Sequence, residues 1–293
     1  MTALVANQFR SAGMRRTSYH VEGQPPLRGL VSSYRPAPGR DRPPLPYISP
    51  SWPAYTLGSR GIFTTLPDLV RWSQALLRGG LIPLAALRES WSPFIMPSGD
   101  TAWHTHGWEY YRHDDVTIIG HGGEVRLVWR HFFRRADPDD SATVIYLDNG
   151  GRTTFDRHRL ATLVADRVMP GAARKGEEQE EALYRGLVSG RWDQTVAAVA
   201  ATIPADRLEA TVNSVGYDAM NILDAGAALP VFRWNAQRFP RSANANDSLG
   251  EAYRAAGQLD RAKESYRRAL MLDPANERIK ATIDELDHPP RPR

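Results

Sequence analysis

Histidine and carboxylate side chains are the groups best able to hold a metal ion or move a proton near neutral pH. In this sequence His104, His106, His113, Asp114, Asp115 and His121 fall within one short stretch. Their spacing fits neither a helical His-Glu-x-x-His nor a Cys/His knuckle, so the sequence predicts a solvated loop and no metal site. Cysteine is absent, which removes disulfides and thiolate zinc sites together and leaves the redox compartment unmarked. No Gly-x-Ser-x-Gly and no phosphate-cradling glycine loop occurs, so the nucleophile-elbow and nucleotide-binding routes have no starting point and no cofactor is expected. Trp72, Trp91, Trp103, Trp108 and Trp129 have the bulk to line a ligand groove, but their placement on helices and strands assigns them to core and edge packing.

The elements that position these residues belong to an ordinary globular chain. It has 293 residues, 42% hydrophobic and 24% charged, enough for one large domain or two smaller ones. Thirty-seven Lys plus Arg against thirty-three Asp plus Glu leave a net charge of +4. The sequence pI near 9.4 therefore reflects an arginine-rich balance rather than a basic patch, and no nucleic-acid partner is expected. No stretch approaches the roughly 18 apolar residues of a membrane span. Met1 to Arg15 carries no apolar run behind a basic start, so it does not read as a signal peptide, and a periplasmic or secreted location would belong to a longer protein.

Residues 22–54, with Pro36, Pro38, Pro43, Pro44, Pro46, Pro50 and Pro53, predict a long irregular loop, because proline lacks the N–H that helices and sheets require. Leu66, Leu69, Val70, Trp72, Leu76 and Leu77 follow a three-and-four spacing that predicts a helix closed by Gly79 and Gly80. A short helix is expected over 83–90. β-rich runs follow at 107–111, 116–119, 125–133 and 142–147, with a hairpin loop at 137–140 and a closing helix over 157–168. The order is helices, an antiparallel meander and a closing helix, an α/β or α+β layer. From Pro170 to Glu181 the composition turns small and then acidic, which marks a linker.

Beyond the linker the chain repeats with a period of 34 residues: Gly216, Ala228, Phe232 and Pro240 recur as Gly250, Ala262, Tyr266 and Pro274. This spacing resembles the tetratricopeptide (TPR) pattern at its small, aromatic and proline positions, with Asn246 standing where that pattern has tryptophan. Glu181 to Val199 reads as one more, degenerate pair.

Four segments in order, residues 9–17 (Phe-Arg-Ser-Ala-Gly-Met-Arg-Arg-Thr), residues 61–69 (Gly-Ile-Phe-Thr-Thr-Leu-Pro-Asp-Leu), Gly107-Trp108, and Gly120-His121-Gly122-Gly123, resemble the serine hydrolases of the class C β-lactamase and DD-peptidase family. The resemblance implies three motifs: a Ser-x-x-Lys opening a helix, a Tyr-x-Asn loop, and a Lys-Thr-Gly or His-x-Gly on the strand flanking the cleft. His121 takes the third-motif position, with Gly122 and Gly123 as the substrate-binding backbone; on the residues alone, those glycines equally well make a bend in a strand turn. The chain's lysines are Lys175, Lys263 and Lys280, none three residues after a serine, and no tyrosine is followed two residues later by asparagine. Nucleophile, base and catalytic loop are therefore missing from this sequence, and a serine hydroxyl without a base is a poor nucleophile.

The expected fold class is α/β: an incomplete β-lactamase-like antiparallel sheet with flanking helices over 1–170, a linker at 171–180, an all-α TPR-like segment over 181–286 and a disordered tail at 287–293. The expected function is amide or ester hydrolysis through an acyl-enzyme by family resemblance, in a truncated form inactive alone. The alternative is a non-catalytic TPR interaction module. A small-molecule or peptide substrate belongs to the complete form, and a protein partner to the repeats. If the strands that pair beside 142–147 in such a sheet are missing, that strand should carry an open edge.

Overall fold

A computed structural model describes residues 2–20, 27–35, 45–47, 61–123, 127–149 and 154–288. The chain forms two compact units, one ending at Arg174 and the other running from Lys175. The first opens with α1 (Thr2–Ser11), followed by β1 (Ser18–Tyr19), β2 (Ser33–Arg35), β3 (Leu45–Tyr47) and β4 (Ile62–Phe63). β1 pairs with β4 and β2 with β3, both antiparallel. The expectation of an unbroken irregular loop over 22–54 is thus corrected at β2 and β3. Pro46 sits inside β3 opposite Tyr34, and a strand paired on one side has room for a residue without an N–H. Pro36, Pro38, Pro43, Pro44, Pro50 and Pro53 lie outside the described residues.

α2 (Leu66–Leu77) begins where sequence chemistry dictates: Thr65 is extended and its side chain accepts from the Asp68 N–H, with a proline in the first turn. α3 (Leu84–Ser90) follows. The main sheet is five antiparallel strands in sequential order, β5 (His104–Thr105), β6 (Trp108–His113), β7 (Val116–Gly123), β8 (Leu127–Arg134) and β9 (Ser141–Leu147). β5 is a strand the periodicity misses. It pairs with β6 across a two-residue turn in which His106 and Gly107 both have positive φ, 41° and 86°, the backbone that matches strand twist in a tight hairpin. Gly107, expected within a strand, belongs to that turn.

Both faces of the sheet are covered, which accounts for the near-continuous apolar runs of β7 and β8. On one face Val116, Ile118, Val128 and Phe132 pack against Ala161 and Ala165 of α4 (Thr154–Ala165). On the other, Ile119 and Trp129 pack against Leu76, Leu87 and Trp91, and the Trp129 indole donates to Ser73 Oγ at 2.9 Å. Among the described residues β9 is the last strand of the sheet and pairs only with β8. Trp91 and Trp129 are core residues, whereas Trp103 is 63% exposed, because it lies just before the short outermost strand β5.

The second unit is helical: α5 (Glu177–Val188), α6 (Trp192–Ala200), α7 (Ala205–Ile222), α8 (Ala225–Arg238), α9 (Ala243–Ala255), α10 (Leu259–Leu272) and α11 (Glu277–Asp287). Asp287, expected in a disordered tail, is the last residue of α11. The 34-residue period is also a geometric one. A Cβ on Gly216 would lie 2.6 Å from the Phe232 ring, and one on Gly250 would lie 2.8 Å from the Tyr266 ring. In each pair the glycine lets an aromatic residue of the following helix rest on the backbone. Ala228 and Ala262 are fully buried at the matching positions. Asp224, Ser242 and Asn276 cap their helices through side chains that accept backbone N–H groups.

Candidate functional site

Two of the family-like segments meet at one buried carboxylate. Asp68, fully buried, accepts from the Arg16 N–H, from Thr17 Oγ1 at 2.8 Å and from Arg71 Nη1 at 2.7 Å. Burial by itself pushes its pKa up, but these donors outweigh burial and hold the carboxyl below its ordinary range. Gly61 is required nearby: its φ is +97°, and a Cβ there would lie 3.0 Å from the His20 carbonyl. These segments carry architecture, pinning the chain after α1 to the start of α2.

The end of β7 is different. His121 projects into solvent with its side chain 58% exposed, and its Nδ1 lies 3.8 Å from Glu109 Oε1. The same Nδ1 is 2.6 Å from the Gly122 carbonyl. Glu109 is 5% exposed; its Oε1 accepts from the Gly122 N–H at 2.8 Å. Its Oε2 takes the fully buried Arg130 guanidinium and, at 3.3 Å, the Tyr111 hydroxyl.

Arg130 extends this support across the sheet. Its Nη1 donates to the Trp129 carbonyl at 3.1 Å and its Nε to His158 Nδ1 at 2.9 Å. A guanidinium only donates, so that imidazole nitrogen must carry its lone pair. Burial, with Arg130 and His113 adding repulsion, pushes the His158 pKa down to about 3. Burial, with the Glu109 charge and hydrogen bond adding to it against Arg130, raises the Tyr111 hydroxyl to about 12. Gly120 stands opposite Arg130 in the register, and a Cβ there would come within 2.1 Å of the Trp129 carbonyl and 2.8 Å of Arg130 Cδ. The glycine before His121 thus makes room for the arginine that anchors Glu109.

Of the six histidines and aspartates singled out in the sequence, the structure brings only His104 and His121 together, with ring centroids 5.9 Å apart. His106 forms the hairpin turn, and His113 Nδ1 is 2.8 Å from the Ala172 carbonyl. Asp115 pairs with Arg134, and the Asp114 carbonyl accepts from Arg112. Sequence reasoning missed Glu109, Arg130 and His158. The available signal was the His106-Gly107 turn, which sets His104 opposite Glu109.

The sheet, its flanking helices and the Gly-His-Gly-Gly strand define a β-lactamase-like unit, and residues 2–169 match the beta-lactamase family. The chain belongs to that family, and residues 243–276 in addition match the tetratricopeptide repeat. A solved structure titled MamA AMB-1 is similar over 44% of this chain and 72% of its own, at 20% identity and a TM-score of 0.30. No curated protein matches the chain.

Proposed function

We propose that residues 2–169 form the substrate-facing part of a β-lactamase-related serine hydrolase, one that cleaves an amide or ester bond through an acyl-enzyme. The supporting observation is the placement of His121: exposed at the end of a strand buried on both faces, flanked by glycines, and backed by a carboxylate fixed on a buried arginine. A substrate lying along this strand meets a polar ring beside backbone without side chains. Gly122 contributes through its lack of a side chain, since its N–H is already given to Glu109. The 293 residues contain no Ser-x-x-Lys and no Tyr-x-Asn, so the chemical step requires a nucleophile and base supplied by other polypeptide.

In this role the isolated chain binds a β-lactam or short amide weakly and reversibly. An NMR titration tests it: the His121 ring signals should shift on addition of the ligand, and His121→Ala should abolish the response elsewhere on β7. Unmoved His121 signals at saturating ligand would overturn the reading.

A second reading, a partner-binding TPR module, is favoured by the repeated glycine-aromatic packing of α7 to α10. Stacked pairs of this kind present a continuous surface to a peptide. It is distinguished by binding to a partner that survives His121→Ala.

A further inference from the structure

We propose that His104, Glu109 and His121 form a binding site for a divalent transition-metal ion of zinc-like chemistry. One donor atom from each residue lies within 4.8 Å of those from the other two. Metal–donor distances of about 2.0–2.2 Å in a tetrahedral zinc site correspond to donor separations of roughly 3.4 Å. Closing that difference requires small ring movements of His104, which is half-buried, and His121, which is exposed. Neither imidazole is locked into a core.

The three donors are assembled by backbone geometry. The two-residue turn at His106 and Gly107 places His104 directly opposite Glu109, and Glu109 in turn pairs with Gly120, the residue before His121.

Two nitrogens and one carboxylate oxygen, with solvent on the exposed side, are the donor set of three-ligand zinc sites that keep an open position. Arg130 and Tyr111 hold Glu109 Oε2, the kind of outer support that fixes a ligating carboxylate. A plain ion pair with Arg130 accounts for Oε2. It does not account for the two imidazoles gathered beside the same carboxylate, where His121 Nδ1 lies 3.8 Å from Oε1, an oxygen that keeps a lone pair after accepting from Gly122. Arg130 also balances the Glu109 charge, which favours a site resting on imidazole donors over one suited to calcium or magnesium.

The absence of cysteine simplifies the test, because no thiolate competes for the ion. Titration of the full chain with zinc chloride, followed by calorimetry and thermal unfolding, should show one saturable site per chain and a rise in Tm with zinc concentration. His104→Ala and His121→Ala should each weaken that site by roughly a hundredfold, the upper end of what loss of even an outer partner costs. His106→Asn, in an exposed turn position whose left-handed backbone asparagine tolerates, should leave it unchanged. Both alanine substitutions fall outside the buried core, so far-ultraviolet circular dichroism should match the parent. Fewer than one site per chain, or affinity unchanged in both alanine variants, would overturn the proposal. The readout is independent of acyl transfer, so it stands or falls separately from the hydrolase reading.

Discussion

The two units solve the same packing problem by different means. In the helical unit the close approaches are made to side chains: the Phe232 and Tyr266 rings lie on Gly216 and Gly250, at positions that repeat in the sequence. In the sheet unit the corresponding close approach, at Gly120, is to the Trp129 backbone carbonyl and to a buried arginine. It joins residues scattered from Glu109 to His158. A repeat spreads its determinants over equivalent local contacts, whereas the sheet concentrates them in one polar network.

The largest effect should come from breaking that network. Arg130→Met leaves the Glu109 carboxylate buried without its cation and should cost about 3–5 kcal/mol, measured by urea denaturation. Replacing both partners with apolar residues should recover much of the loss, because no uncompensated charge then remains. A single variant as stable as the parent would show that the network is not holding the unit.

Matched alanine substitutions sharpen the contrast. At Gly120 the new methyl faces a carbonyl that cannot move without breaking the β7–β8 pairing, and the loss should exceed about 3 kcal/mol. At Gly250 the Tyr266 ring can tilt, and the loss should be nearer 1–2 kcal/mol. Equal losses at the two positions, followed by urea denaturation, would remove the distinction.

Acid provides a smaller and reversible contrast. Burial pushes His131 down to about 4, and His158 sits at about 3. Unfolding lets both take up protons near the ordinary value of about 6.5. The unfolded chain therefore binds more protons between about pH 6.5 and 4, and stability of the sheet unit falls through that window by a few kcal/mol. The Asp68 contribution is lost only at lower pH, as its depressed carboxyl protonates. In the helical unit burial raises the Asp247 pKa, with Glu251 adding to it against Arg278. That group favours folding as pH falls through its folded-state pKa. Hydrogen exchange at pH 7 and pH 4.5 should show loss of protection centred on β7 and β8. Uniform loss across both units would contradict these assignments.

How much of this was legible in the sequence follows from the same difference. The glycine-aromatic period and the apolar stripe of α2 were readable because helix contacts recur at short, fixed spacing. The β-rich runs were readable as strands, and His121 through the Gly-His-Gly-Gly segment that resembles the family's third motif. Glu109 was not, since an acid in the run Trp-Glu-Tyr-Tyr reads as a solvent-facing strand residue until Arg130 is seen beneath it. The two-residue strand β5 was missed because His-Gly is not the usual hairpin signal. Without β5, His104 and His121 remain distant members of a loop.

Acylation of the 293-residue chain tests the central proposal most directly: that β7 is the substrate-facing strand of a β-lactamase-family unit whose 293 residues hold no Ser-x-x-Lys and no Tyr-x-Asn. Incubation with a fluorescent penicillin, followed by intact-protein mass spectrometry, should show no covalent adduct on any serine. Stoichiometric labelling of a single serine would contradict the account and identify a nucleophile that works without Ser-x-x-Lys.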